Sequence, residues 1–395
     1  MSKYSMRVQT TAVGLDSSGL RRLNTSAALR AILAVDGPAT LAQLVTATSL
    51  SRRTLESILD ELIRAGWVDE LEERSSTGSA GRPSRRFEAR PDNALVAALR
   101  IDTFSATALI CDVLGREVGR ASFVLPDYED PAHALRTGAE AVEAAVAEAG
   151  VAPETIRGGG LASGGAIEDE AVVRHIVHAP TWSGIDARGA LEKHFNFPWW
   201  VDNDANLAAL AERSSGVAAD QDSFVWLIVG NRTGAGIIIH GEVHHGFRGS
   251  AGEIVEMSSI DSSSYAEFPI AWLTSPRNDQ QAVARDTLAA ARRGDAGALA
   301  EVDTFIRAIT PMVVTLSWTI APPLIVLGGG LEDGADLLLP RLSSSMRAAG
   351  APAIPLAATV LGRDAPLKGA AQLVLDRLDT ELFGPLVLPA RLSRR

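Results

Sequence analysis

From residue 94 onwards the chain alternates short apolar runs with Ala-rich helical stretches, and this alternation restricts that part to an α/β architecture. Leu95–Ile101, Ala106–Asp112 and Glu117–Leu125 read as consecutive strands joined by short turns. Ala132–Ala149 reads as an Ala-rich helix ended by Gly150. Phe224–Val229 and Gly236–His240 repeat the strand pair, with Gly241-Glu242 as the following turn. Helices are predicted at Asp279–Arg293 and Ala296–Trp318, then a buried strand Leu324–Leu327 running into Gly328-Gly329-Gly330. Two similar halves around a cleft are expected. At 395 residues the chain has room for two or three domains.

Residues 19–90 follow a different periodicity. Leu20, Leu23, Ala27, Ala28, Ala31, Ile32 and Val35 share one helical face, and Asp36-Gly37-Pro38 stops that helix. Thr40 and Gln43 have capping-box spacing and open a short second helix through Ala47. Ser51 caps a third, in which Leu55, Ile58, Leu59, Leu62 and Ile63 form a buried stripe closed by Gly66. Three helices with the tight turn Ser49-Leu50-Ser51 between the last two read as helix-turn-helix. Trp67–Leu71, the loop Ser75–Gly81 and Ser84–Ala89 add a hairpin wing.

The predicted DNA surface is Arg52, Arg53, Thr54 and Ser57 at the start of the third helix, with Arg82, Arg85 and Arg86 at or near the hairpin tip. The planar fork of Arg donates two bonds at once to guanine edges or phosphates. Glu56, Asp60 and Glu61 lie on the exposed side of the same helix and repel phosphate, so it must dock by its first turn. The competing reading is a three-helix interaction module whose arginines are simply solvated, with a plain basic linker in place of the wing.

Charge separates the two parts. The chain carries a net charge of −11, yet residues 1–100 hold 14 Lys+Arg against 11 Asp+Glu, while the remainder holds 23 against 37. Nucleic acid is therefore a partner for the head alone, since an acidic body repels phosphate. Cys111 is the only cysteine, which excludes a disulfide framework and a four-cysteine zinc site. The most apolar stretch, Met312–Leu327, is broken by Thr315, Ser317, Thr319 and Pro322-Pro323 and reads as core rather than a membrane span. The N-terminus has no signal-peptide centre, so a soluble cytoplasmic protein is expected.

Four further blocks carry a resemblance. Val201-Asp202-Asn203-Asp204-Ala205-Asn206-Leu207-Ala208-Ala209-Leu210-Ala211-Glu212 resembles the signature segment of the ROK family of repressors and sugar kinases. Gly234-Ala235-Gly236 through Gly246-Phe247-Arg248-Gly249-Ser250-Ala251-Gly252-Glu253-Ile254 resembles the next block of that family. Ile325–Gly330 and Leu361–Ala371 resemble its C-terminal pair, and the head, with Leu20–Asn24 and Gly81-Arg82-Pro83, resembles the winged helix of its repressors. The resemblance implies an actin-like ATPase body of two ribonuclease-H-like lobes with sugar bound in the cleft. The expected division is a tail 1–18, a head 19–90, lobe one 94–203 with the C-terminal helix 365–383, lobe two 204–364, and a tail 384–395.

In the kinases of this family the resemblance makes Asp204 the base that takes the sugar proton, and makes Asn203 and Glu253 ligands of sugar hydroxyls. Without it, the alternative reading of Asp204 is a cap on the helix Ala205–Gly216. The departures decide more. Such kinases use two Gly-rich hairpins, because backbone without Cβ can approach ATP phosphates closely. Here the first reads Asp102-Thr103-Phe104-Ser105-Ala106-Thr107, and the second reads Gly230-Asn231-Arg232-Thr233-Gly234-Ala235-Gly236. Phe104, Ser105 and Arg232 stand where glycines belong, so the phosphate site should be filled or distorted. The zinc-binding His and Cys residues of the family are absent, with Glu256 at the His position, and the glutamate expected near Ala271 is missing. His240, His244 and His245 read as solvated turn residues rather than metal ligands.

The resulting expectation is a DNA-binding transcriptional regulator with a non-catalytic, sugar-kinase-like body and no cofactor or metal. Asp204 is a vestigial base, and Asn203, Asp204, Glu253 and Glu256 form an effector site. Glu256 adds a carboxylate near Glu253, which disfavours anionic ligands and favours neutral or amino-bearing ones. Expected partners are double-stranded DNA on an inverted repeat, a sugar-like effector and a second copy of the chain. The alternatives are an ATP-dependent sugar kinase and a regulator whose body is a ligand-free scaffold.

Overall fold

The structure is a computed structural model that describes residues 17–71, 85–256 and 263–383. The predicted hairpin loop with Arg82, the Glu256 side chain and most of the expected terminal tails lie outside the described residues. The chain divides into two compact units: residues up to Asn93 with those from Arg377, and Ala94–Asp376.

The first unit holds α1 (Ser17–Leu33), β1 (Ala39–Thr40), α2 (Leu41–Thr48), α3 (Arg52–Arg64), β2 (Val68–Leu71) and β3 (Arg86–Ala89). Thr40 closes a full capping box on α2: its hydroxyl accepts from the Gln43 amide at 3.3 Å, and its own amide donates to Gln43 Oε1 at 2.8 Å. Ser49 turns the chain with φ 57°, and Ser51 caps α3 by accepting from the Thr54 amide. The stripe Leu55, Ile58, Leu59 and Leu62 is buried with Ile32, Leu44 and Phe87 in one core. β1 pairs with β3, so the hairpin is a three-stranded sheet of order β1-β3-β2, a feature the two-residue strand is too short to announce in sequence.

The second unit contains two five-stranded sheets of the same design. The first uses β4 (Leu95–Asp102), β5 (Ser105–Asp112), β6 (Glu117–Val124), β7 (Ile156–Ser163) and β11 (Trp199–Asn203), in the order β11-β7-β4-β5-β6. The second uses β12 (Phe224–Ile228), β13 (Gly234–Ile239), β14 (Glu242–Val243), β15 (Ile325–Leu327) and β16 (Leu356–Ala358), in the order β14-β13-β12-β15-β16. In each, the opening strand pairs antiparallel with the next and parallel with the fourth. This repetition is the duplicated two-lobe arrangement that the resemblance implies. A small sheet of β8 (Ala166–Glu168), β9 (Val172–His175) and β10 (Ile185–Asp186) flanks the first lobe.

The helices are α4 (Pro131–Ala149), α5 (Ala187–Leu191), α6 (Asp204–Ser215), α7 (Ser263–Ala266), α8 (Asn278–Arg292), α9 (Ala296–Thr319), α10 (Ala335–Ala348) and α11 (Ala365–Phe383). Each lobe has its own core, one around Trp182 and Trp199 and the other around Phe305 and Leu327. α6 lies directly on β13, because a Cβ at Gly236 would sit 2.1 Å from the Ala205 carbonyl oxygen. Only glycine permits that approach, and it brings the start of α6 beside the β12–β13 loop. No helix among the described residues is long and apolar enough to cross a membrane.

Candidate functional site

The second unit contains a cleft of about 620 Å³ lined from both lobes. Its floor is built at the ends of β4 and β11 and by the β12–β13 loop, which bring together Asp102, Asn203, Asp204 and Arg232. Glu253 lines it as well. Asn203, Asp204 and Glu253, three of the four residues expected to form the effector site, thus meet in one place, while Glu256 ends the short turn Ile254–Glu256.

Asn203, rather than Asp204, caps α6. Its Oδ1 accepts from the amides of Ala205 and Asn206 at 2.8 and 3.3 Å, and its Nδ2 donates to the Gly165 carbonyl and to Glu253 Oε1, both at 3.0 Å. An asparagine amide has two donors and two acceptor positions, so its capacity is used within the protein. Its contribution is to hold the start of α6 and orient Glu253. Asp204 is the first helical residue, and the cap reading of its carboxylate is replaced by one in which that group faces the cleft. Burial pushes the Asp204 carboxyl above its usual range; Arg232 and Arg100 oppose this, and neighbouring Asp102 adds to it.

Arg232 stands in the second loop where the resemblance leads one to expect a glycine. Its Nη1 donates to Asp102 Oδ2 at 3.1 Å and lies 3.7 Å from Asp204 Oδ2. Its Nε donates to the Thr274 carbonyl at 3.2 Å, and its backbone amide donates to Thr274 Oγ1 at 3.1 Å. The next amide back, Asn231, donates to the Ala271 carbonyl at 3.1 Å. In the first loop, Thr103 directs its amide onto Asp102 Oδ1 at 2.6 Å. The amides of Thr103, Asn231 and Arg232 in these loops are therefore engaged by the protein itself. Phe104 lines the cleft with 47% of its surface exposed, whereas Arg232 is held in place by Asp102 and Thr274. Burial works to raise the Asp102 carboxyl, but Arg232, Arg100 and Thr103 outweigh it and hold the group below the usual carboxylate range.

Several participants carry no local signal in the sequence. Arg100 pairs with Asp102 and donates to the Arg363 carbonyl. The Tyr128 ring packs at a tilt against Trp182, and burial next to Asp102 and Asp204 raises its phenol. Glu267 lines the cleft, so this segment does present a carboxylate although none stands at Ala271. His245 is not merely a solvated turn residue: its Nε2 lies 2.8 Å from Oδ2 of Asp202, a buried residue of the signature segment.

In the first unit, Arg52, Arg53 and Ser57 are exposed and Thr54 is half-buried on the first turns of α3, and Arg86 is exposed on β3. The partners of the other residues refine the predicted surface. Arg52 Nε donates to Glu56 Oε1 at 3.2 Å, and Ser57 Oγ accepts from Arg21 at 2.9 Å. The Thr54 hydroxyl is within 2.8 Å of Ser51 Oγ, beside the cap. Arg85 holds both carboxylate oxygens of Glu70, reaches Asp60 at 3.5 Å and lies over the Phe87 ring. Those hydrogen bonds from Arg85 keep the Glu70 carboxyl below its ordinary value. Arg85 thus pins β2 to β3 instead of projecting from the hairpin, which leaves Arg53 and Arg86, among the described residues of this set, as the exposed cations outside these ion pairs.

Comparison with known proteins agrees with this architecture. The chain is 28% identical to a xylose repressor of Caldicellulosiruptor bescii over 52% of its own length, and spans about half (51%) of that relative. It is also 28% identical to a glucokinase of Halalkalibacterium halodurans, over 54% of this chain and 75% of that one. The fold superposes on a crystal structure of a ROK family transcriptional regulator, a homologue of the E. coli MLC protein, with a TM-score of 0.67 at 18% identity, covering 92% of this chain and 98% of that one. Residues 119–261 and 270–377 match the ROK family, and with the two-lobed actin-like ATPase body in place the chain belongs to that family.

Proposed function

We propose that this protein is a DNA-binding transcriptional regulator whose body binds a sugar or sugar-like effector without phosphorylating it. The observation that carries this reading is Arg232: a kinase cleft must admit a nucleotide's phosphates, and here a guanidinium pinned by Asp102 and Thr274 stands among loop amides that already have partners. The three-helix head with its sheet is proposed as the DNA reader, and the likeness of fold over 92% of the chain to a ROK family transcriptional regulator supports the pairing of such a head with this body. Asp204 and Glu253 are the polar groups proposed to meet the effector, with Asn203 orienting Glu253. A single head makes few base contacts, so the proposed working form is a dimer on an inverted repeat.

Enrichment of random duplexes by the full-length chain, followed by footprinting, tests the reading. The expected product is an inverted repeat bound by two copies; absence of any sequence-selective complex would remove the regulator assignment. The second prediction concerns chemistry. Positioning is nearly all that a phosphoryl-transfer enzyme supplies, so ATP turnover with any aldose should stay at background. Transfer to a sugar that disappears in Asp204→Asn would establish the kinase reading instead.

A further inference from the structure

We propose that Arg232 is a specificity-determining residue of the cleft, which with Asp204 forms a donor–acceptor pair that reads one hydroxyl group of a neutral polyhydroxy ligand. The inference rests on the proposed effector role of the cleft. Arg232 Nη1 lies 3.7 Å from Asp204 Oδ2, beyond the direct hydrogen-bond range of about 2.7–3.2 Å. One oxygen seated between the two, at ordinary length from each, would accept from the guanidinium and donate to the carboxylate. Nη1 carries two N–H groups, of which one serves Asp102 at 3.1 Å. The guanidinium cannot swing away from this position without breaking its bond to the Thr274 carbonyl, and its backbone is held by Thr274 Oγ1.

The pair discriminates by chemistry. A hydroxyl donates and accepts at once. An ammonium group has donors only, so it satisfies Asp204 but faces the like charge of Arg232. A phosphate oxygen accepts from Arg232 but brings no hydrogen to Asp204 and is repelled by it. The wider cleft reinforces the second exclusion, because Asp102, Asp204, Glu253 and Glu267 outnumber Arg100 and Arg232. The expectation from sequence admitted amino-bearing ligands; at this position the geometry excludes them.

The test is calorimetry on the full-length protein with D-glucose, D-xylose and N-acetyl-D-glucosamine, and with their deoxy, amino and phosphate derivatives at each carbon. At one carbon, removal of the hydroxyl should weaken binding about ten- to a hundredfold, the range for a hydrogen bond to a charged group. Amino and phosphate derivatives at that carbon should lose at least as much. Arg232→Gln should lose a similar factor towards the parent sugar and no further factor towards the deoxy sugar. A phosphate derivative that binds as tightly as its parent, or an Arg232→Gln protein that binds the parent like wild type, overturns the assignment and leaves the effector site standing. Failure of every sugar to bind wild type removes the effector role and this inference together. If Arg232→Gln does not fold, the derivative series on wild type decides the question without it.

Discussion

Alanine at position 252 is expected to destabilise the body by about 2–5 kcal/mol, from the added cost of left-handed backbone and of a core overlap. Gly252 sits at φ 87°, and a Cβ there would stand 1.8 Å from the Ala235 carbonyl oxygen. That carbonyl belongs to β13, and the Gly252 carbonyl in turn accepts from the Ala235 amide at 3.0 Å, so neither side can retreat without opening the strand edge. Glu253 follows directly and would move with the backbone, so ligand binding should fall as well. Gly294 supplies the control: it has the same φ of 87°, yet a Cβ there meets nothing within 4 Å. Gly294→Ala should therefore cost only about 1–2 kcal/mol. Urea midpoints of the two variants measure the difference, and equal losses would show that the overlap at 252 relaxes freely.

The second large effect belongs to the head. Arg53→Ala is expected to weaken binding to the preferred duplex about ten- to a hundredfold and to relax selectivity at one base pair, the usual result of losing an arginine that reads a base edge. Arg53 is exposed at the first turn of α3 and has no part in the ion pairs that hold Arg52 and Arg85. Arg52→Ala should cost less, because that guanidinium is already shared with Glu56. Arg85→Ala should act differently again, lowering the stability of the head through the lost Glu70 pair and Phe87 contact while leaving base preference unchanged. Quantitative footprinting with single-base operator variants separates the three. A uniform loss for Arg53→Ala at every sequence would reassign it to phosphate contact, and no loss at all would take α3 out of the DNA interface.

Much of the head was legible in the sequence because its determinants are local. Capping by Thr40 and Ser51, and the stripe from Leu55 to Leu62, depend on residues three or four positions apart, which the helix itself brings together. The strands beginning at Leu95, Ser105 and Phe224 were legible for a similar reason, as apolar runs between turn residues. Phe104, Ser105 and Arg232, at positions where the resemblance leads one to expect glycine, could be read one position at a time.

What only the tertiary structure decided is what long-range packing supplies. Gly158-Gly159-Gly160 has the composition of a loop, yet it lies in β7 at the interior of the first sheet. Trp200, Trp199 and Ala370 stand where its side chains would be, so neighbouring elements provide the bulk that the strand lacks. Arg232 reaches Asp102 across 130 residues, and Thr274 holds it there; no spacing in the chain announces either contact. Residue types were enough to raise the expectation of altered phosphate loops. Which partners hold Arg232, and that Asn203 is committed to its helix and to Glu253, depended on register and burial, because a hydrogen bond needs a partner within about 3 Å and the fold alone brings that partner there.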